Sequence, residues 1–368
     1  VEDVFCRLGR FSDFSLDAKI KAEQIYNYRN KMEFTFSPHR WVLDSEPEGV
    51  SKSFALGLHI PGRYDKILDI NNCYIQPEIG NKILKVAREV CLSNPKLKPY
   101  DPKTHIGFLR YLMLRYGVKT GQLMVNIVTA YDDINKLSPL IDSLLDKFPE
   151  ITSMVNNVNT RKADVAFGEF ENLLFGKPYI EEKLGELTFE ISANSFFQTN
   201  TVQAERLYQL IRNECNLSGN EIVYDLFCGT GSISIFIAEN AKKVYGFELV
   251  DSAVKDAERN AKLNNIENCS FFGGDLMDVF KTNDELADLP KPDVMVIDPP
   301  RSGMHPKTVQ QVLEQSPERI VYVSCNPSTQ VRDIKFFTED YYKIKMVQPV
   351  DMFPHTPHVE NIVTLEKS

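Results

Sequence analysis

The chain has 368 residues, 43% of them hydrophobic and 25% charged, with a formal net charge of −9. That length supports two or three domains with separate cores, and no apolar run approaches the ~20 residues that span a bilayer. The acidic balance disfavours indiscriminate nucleic-acid binding, and residues 1–15 carry no hydrophobic leader. Seven cysteines, none spaced as C-x-x-C, disfavour a disulfide framework or a zinc site. The expectation is a cytoplasmic monomer with no membrane partner and no metal.

In chain order, Met32–Phe36 alternates with period two and predicts a strand. Ile79, Ile83, Val86, Ala87 and Val90 predict a helix near 78–92. Leu109–Arg115 and Gln122–Thr129 predict a hairpin about Lys119-Thr120-Gly121. Ile134, Leu137, Ile141, Leu144, Leu145 and Phe148 fall at helical spacing over 133–148. Residues 1–190 are therefore expected to form an α+β central domain with a largely antiparallel sheet. Within 96–119, Lys96, Lys98, Lys103, Arg110, Arg115 and Lys119 stand against Asp101 alone. Such a stretch suits phosphates; a solvated strand face is the alternative.

After Glu190 the pattern alternates strand and helix. Thr201–Asn213 predicts an amphipathic helix with Val202, Leu207, Leu210 and Ile211 inward. Strands are expected at 222–227, 244–248, 269–272, 293–298, 319–324, 344–349 and 361–366. Helices fill the intervals, one over 251–264 behind an Asp251-Ser252 cap. Residues 282–292 are polar, contain proline and read as a surface loop. Single helices between strands imply an α/β fold, a doubly wound parallel sheet over 191–368 whose seventh strand is a candidate for reversal.

Two segments at strand ends carry chemistry. Asp225-Leu-Phe-Cys-Gly229-Thr-Gly231 fits strand, glycine turn and helix, and Glu248 ends the next strand 23 residues later. Glycines let a ligand approach the backbone, and the second carboxylate suits ribose hydroxyls. A third glycine is missing (Ser234), and Asp225 is negative, so the loop favours a cationic methyl donor over a dinucleotide pyrophosphate. Ser324-Cys325-Asn326-Pro327 places a thiol at the end of another strand, a candidate nucleophile. Cys6, Cys91, Cys215, Cys228 and Cys269 are read as packing residues.

Three more segments complete a pattern: Ser195-Phe-Phe-Gln-Thr-Asn200, Asp298-Pro-Pro-Arg-Ser-Gly303 and Asp351-Met-Phe-Pro-His355-Thr-Pro-His358-Val-Glu360. Together the five closely resemble the RNA 5-methyluridine (uracil-C5) methyltransferases of the tRNA and large-subunit rRNA type. The resemblance covers the catalytic half and extends upstream to Tyr28-Arg-Asn-Lys-Met-Glu33. It implies a class I Rossmann-like methyltransferase domain over 191–368, an RNA-binding central domain over 1–190, S-adenosylmethionine as donor and RNA as partner, with rRNA expected ahead of tRNA. It further implies Cys325 as nucleophile and Glu360 as base. Gln198, Phe227, Ser232, Glu248, Asp275 and Asp298 are implied donor contacts, although Ser232 stands where relatives often have Asn. Phe196 and Arg301 are candidate substrate contacts, Phe196 or Phe197 as a stacking platform.

One thiol and one carboxylate suffice for methylation at carbon-5 of uracil without a metal. His355, His358 and Glu360 keep a metal reading open. A nicotinamide oxidoreductase, a catalytically silent RNA-binding module and a cytosine-C5 RNA methyltransferase are the competing functions. Many relatives also carry an upstream barrel and an iron–sulfur cluster held by four cysteines. Cys73 resembles the fourth ligand, but the clustered three are absent, so no complete cluster is expected here. The chain opens at Val1, and a fragment lacking that upstream region is the expected reading.

Overall fold

In a computed structural model, all residues are described except 163–167, 278, 283–285, 287 and 340, and the side chains at 64, 281 and 282. Contacts divide the chain into two compact units, one of Tyr26–Lys183 and Glu190–Asn194, the other of Val1–Ile25, Leu184–Phe189 and Ser195–Ser368. The first 25 residues thus pack with the second half of the chain, not with the strands that follow them.

The first unit holds β1 (Lys31–Ser37), β2 (Arg40–Trp41), β3 (Ala55–Ile60), β4 (Arg63–Asp69), β5 (Leu109–Tyr116), β6 (Leu123–Thr129), β7 (Ser153–Val158) and β8 (Phe170–Gly176). They form one sheet in the order β2-β4-β3-β1-β5-β6-β7-β8. Most pairs are antiparallel, but the short β2 runs parallel to β4, and β6 and β7 are parallel, which the intervening helix Ile134–Lys147 permits as a crossover. Asp133 caps that helix by accepting from Lys136 N at 3.0 Å, a contact of about 1 kcal/mol. Phe34, Phe36, Leu112, Leu114, Val125 and Ile127 pack on the helices Glu78–Ser93 and Ile134–Lys147. Ile134, expected on the inward face, is 42% exposed; it is the first helical residue and lies before the apolar stripe closes on the sheet.

The basic stretch is not one surface. Arg110 and Arg115 lie in β5, between two neighbouring strands, and are only 2% and 4% exposed. Arg110 donates to the carbonyls of Asn159 at 2.9 Å and Arg161 at 2.6 Å, and burial lowers the pKa of Arg115 to about 10. Lys103 is paired with Asp65 at 2.8 Å. Burial takes Arg110 and Arg115 out of a phosphate-binding face, while Lys96, Lys98, Lys103 and Lys119 are exposed.

A two-stranded hairpin, β9 (Tyr179–Leu184) and β10 (Leu187–Ser192), precedes the second sheet. That sheet contains β11 (Ile222–Leu226), β12 (Lys243–Glu248), β13 (Cys269–Gly273), β14 (Val294–Ile297), β15 (Arg319–Ser324), β16 (Tyr342–Val350) and β17 (Glu360–Lys367), in the order β13-β12-β11-β14-β15-β17-β16. The first five are parallel, and β17 runs antiparallel to both neighbours, so the seventh strand does reverse. Order and direction place the topological switch between β11 and β14, the usual ligand crevice of such sheets.

Residues 15–20 extend this sheet beyond β16. Val347 N donates to Ser15 O, Asp17 N to Val347 O and Ile20 N to Pro349 O, each at 2.9 Å. Phe5, fully buried in the core with Phe337, Ile334 and Val331, anchors the preceding turn with about 1.5–3 kcal/mol of apolar burial. Its neighbour Cys6 points outward and is exposed, a correction to its reading as a packing residue. Adjacent side chains of the helical turn Phe5–Gly9 point in different directions, and Phe5 takes the inward position. Cys91, Cys215 and Cys228 are buried and Cys269 is half-buried.

The helix Thr201–Cys215 buries Thr201, Gln203, Ala204, Leu207, Tyr208, Ile211 and Cys215. Its inward face is rotated from the expected one: Val202 and Leu210 are half-buried, while Gln203 and Tyr208 go inside. Within the loop expected at 282–292, residues 283–285 and 287 lie outside the described residues; Val279–Thr282 are helical, and Leu286 is buried in the core. Among the described residues no helix is long and apolar enough to cross a membrane.

Candidate active site

Asp225, in β11, is fully buried. Its Oδ2 accepts from Ser234 Oγ at 2.5 Å, and Oδ1 has no partner among the described residues. Loss of water raises its pKa to about 7, against the Ser234 hydrogen bond and with help from Glu248. Beyond it the chain turns through Phe227, Gly229 and Gly231, with φ of 64°, 54° and 75°. A left-handed Phe costs about 1–2 kcal/mol. It is held between buried Leu226 and Cys228, whose N donates to Phe247 O at 3.1 Å.

The two glycines do different work. A Cβ on Gly231 would lie 2.8 Å from Ala257 Cβ and 2.9 Å from Phe271, so close packing of helix on strand excludes it. Around Gly229 nothing lies within 4 Å of a Cβ, which leaves space beside the loop for a ligand. Glu248 holds this turn: Oε2 accepts from Gly229 N and Oε1 from Val250 N, both at 3.0 Å. Ser232 is buried with its hydroxyl 2.8 Å from that of Tyr208. Tyr208 carries no signature in sequence; it looks like one more residue of an amphipathic helix. Asp275 follows β13 and accepts from Met277 N at 2.9 Å.

The segment 195–200 lies against the glycine turn, with Thr230 Oγ1 donating to Phe196 O at 3.3 Å. Ser195 donates to Asp256, and Gln198 is buried. The two phenylalanines separate cleanly: Phe197 is 2% exposed and packs on Phe189 at 5.8 Å, while Phe196 is 64% exposed. Asn200 caps the next helix and donates to Met352 O at 2.9 Å, fixing the start of the loop that leads to Glu360.

Cys325 follows β15, and Glu360 begins β17. Ser324 pairs with Asn361 in the antiparallel register, so thiol and carboxyl stand at the same end of adjacent strands. Gln330 locks the pair of strands: Nε2 donates to Tyr322 O at 2.8 Å and Asn361 O at 3.1 Å, and Oε1 accepts from Asn361 Nδ2 at 2.7 Å. Asn326 caps the helix Pro327–Thr338 through Ser328 N and donates to Arg301 O at 3.2 Å. Asp333 accepts from Met304 N at 2.8 Å and Tyr322 OH at 2.7 Å. The loop after Asp298 is thereby pinned to the helix that follows Cys325.

Charge around the thiol is mixed. Burial raises the Cys325 pKa, and the carboxylates of Glu360 and Asp298 push further, while Arg301 and a backbone hydrogen bond pull it down. Burial also raises Asp298 to about 7, with Asp225 adding to it. Glu360, buried and facing Asp298, is pushed well above the usual carboxylate range. A nucleophilic role for Cys325 would need its thiolate, which exists above the thiol pKa, and on that role kcat/KM is expected to rise with pH from neutrality. Arg301→Gln removes an opposing cation and is expected to move that rising limb to higher pH. A pH profile of kcat/KM unchanged in the variant would remove Arg301 from the tuning of the thiol. His355 and His358 belong to the loop before Glu360, and no group of three or more metal-ligating side chains occurs among the described residues.

The family profile described as tRNA (Uracil-5-)-methyltransferase matches residues 154–368. An uncharacterized RNA methyltransferase of Chlorobaculum tepidum is 44% identical over 373 residues, covering 100% of this chain and 77% of that protein. One from Porphyromonas gingivalis is 43% identical over 377 residues, covering 100% of this chain and 80% of that protein. Among solved structures, the Pyrococcus abyssi tRNA (uracil-54, C5)-methyltransferase in complex with S-adenosyl-L-homocysteine superposes with a TM-score of 0.77 at 29% identity, covering 99% of this chain and 81% of that one.

Proposed function

Since the chain belongs to the tRNA (uracil-5-)-methyltransferase family, we propose that it methylates carbon-5 of a uridine in structured RNA through a covalent Cys325 adduct. It is an S-adenosylmethionine-dependent RNA methyltransferase. The observation that carries the covalent reading is the adjacency of Cys325 and Glu360 at one end of β15 and β17, beside the loop that ends β14.

The residues fit the donor. The space at Gly229 and the unpartnered Oδ1 of Asp225 suit its amino-acid moiety, and Glu248, already holding the turn, suits ribose hydroxyls. Phe227, Ser232, Gln198, Asp275 and Asp298 surround or support that loop in the proposal. The donor supplies an activated methyl group. The protein supplies the rest: the Cys325 thiolate adds to uracil carbon-6, and electron density at carbon-5 takes the methyl. Glu360 then removes the carbon-5 proton, and elimination breaks the carbon–sulfur bond and frees the thiol.

A uridine inside folded RNA must be extruded to reach this thiol, at a cost of a few kcal/mol. Exposed Phe196 is the stacking platform that offsets part of it. Phe196→Ala is expected to raise KM for RNA by roughly 5- to 150-fold, the equivalent of about 1–3 kcal/mol per stacked base, with donor affinity retained. An unchanged KM would remove Phe196 from the substrate path. The Pyrococcus neighbour acts on tRNA, so rRNA and tRNA belong side by side in the assay. Methyl transfer from labelled donor, followed by nucleotide-resolution mapping, should yield 5-methyluridine; 5-methylcytidine, or no product with either RNA, refutes the proposed function.

A further inference from the structure

Asp225 and Asp298 stand on adjacent strands of the second unit, Asp225 opposite Val296 and Leu226 opposite Ile297. Asp298 N reaches back to Leu226 O at 3.4 Å, which sets the two carboxylates at one edge of the crevice. Neither is neutralised there by a side-chain cation among the described residues. Asp225 spends one oxygen on Ser234, and the other has no partner. No hydrogen bond among the described residues is made by the Asp298 side chain.

Other titratable groups surround them, and the thiols of Cys215, Cys228 and Cys269 beside Asp225 and the Tyr322 phenol beside Asp298 are all raised by burial and so stay neutral. From β12 comes Glu248, whose oxygens already accept from two backbone N–H groups. From the helix Thr201–Cys215 comes Tyr208, neutral and hydrogen-bonded to Ser232. From β15 and β17 come Cys325 and Glu360, and from the loop after β14 comes Arg301, which acts on Cys325. The crevice is therefore a concentration of buried acidic groups, and the cation beside it, Arg301, acts on Cys325.

We propose that Asp225 and Asp298 select the charged methyl donor over its neutral thioether product, making donor–product exchange electrostatically driven. The inference rests on S-adenosylmethionine being the donor. Donor and product share adenosine and amino-acid groups, so contacts to those parts largely cancel in a comparison of the two. What differs is one methyl and one positive charge on sulfur. A sulfonium near ionised carboxylates is favoured, and a thioether, which keeps only the shared α-ammonium, offers those buried carboxylates one positive charge fewer.

The preference should exist where the carboxylates are ionised. Burial raises both groups to about 7, so the preference is present above that pH and lost as pH falls through it. Binding of S-adenosylmethionine and S-adenosylhomocysteine to the full chain, measured by calorimetry without RNA, tests this directly. At pH 7.5 the donor should bind about tenfold more tightly than the product, and the ratio should fall towards one at pH 6. Asp298→Asn, which keeps the side-chain volume, should flatten the ratio at pH 7.5 while both ligands still bind. If the variant does not fold, the pH series on the unaltered protein decides alone. A ratio that is the same at both pH values overturns the inference but leaves the donor assignment intact. Failure of both ligands to bind overturns the donor assignment and this inference with it.

Discussion

Cys325→Ser is expected to abolish methyl transfer, lowering kcat by at least ~10³-fold, while S-adenosylmethionine binding stays within about twofold. The substitution keeps the position, the helix cap at Asn326 and the Gln330 clamp, so the scaffold has no reason to move. What changes is the atom. A serine hydroxyl is far less acidic than a thiol and, in a site where Glu360 and Asp298 already disfavour an anion, it has no accessible alkoxide. It cannot add to carbon-6, and without that addition carbon-5 has no electron density to offer. The companion measurement uses RNA carrying 5-fluorouridine with the unaltered protein and donor. Fluorine at carbon-5 cannot leave as a proton does, so the adduct should persist as a protein–RNA band under denaturing electrophoresis and be absent with Cys325→Ser. Retained turnover in the serine variant refutes the covalent route.

The legible part of this protein was that written in strand ends. Period-two and buried runs locate the strands, and a sheet of this kind does its chemistry at their carboxyl ends. Asp225, Glu248, Asp298 and Cys325 could be assigned to that rim because each directly ends or follows an apolar run. Glu360 is different: it begins β17, and only because β17 reverses does it stand beside Cys325. The same reasoning failed for groups whose role depends on what covers them. Arg110 and Arg115 carry full charge in a strand, and local pattern cannot tell that a sheet interior holds them. Tyr208 contributes a hydroxyl through an inward face that apolar spacing had put one residue away. The parallel pairing of residues 15–20 with β16 joins segments more than 300 positions apart, and nothing in a polar, extended stretch announces its partner.

Glu360→Gln gives the second large effect, and its form distinguishes the base from the nucleophile. The amide retains the size and most hydrogen-bonding capacity of the carboxyl, so the β16–β17 pairing and the Asn361–Gln330 contacts should survive. It cannot accept the carbon-5 proton. Addition of Cys325 and methylation do not require that acceptance, so both should proceed once, with a burst of at most one methyl per protein. Elimination should then stall, lowering steady-state kcat by ~10²–10⁴-fold, the usual contribution of a positioned acid–base group. The raised proton affinity of Glu360, caused by its burial and by Asp298, serves this step, since a carboxylate that holds protons strongly removes a carbon-bound one more readily. Removing a like charge beside the thiol should also lower the Cys325 pKa, so adduct formation should begin at lower pH than in the unaltered protein. A stable methylated protein–RNA complex formed on ordinary uridine-containing RNA is therefore expected from Glu360→Gln. If the variant instead turns over at the unaltered rate, or fails to form the complex while binding both donor and RNA, the carbon-5 proton leaves through another group and Glu360 is not the base.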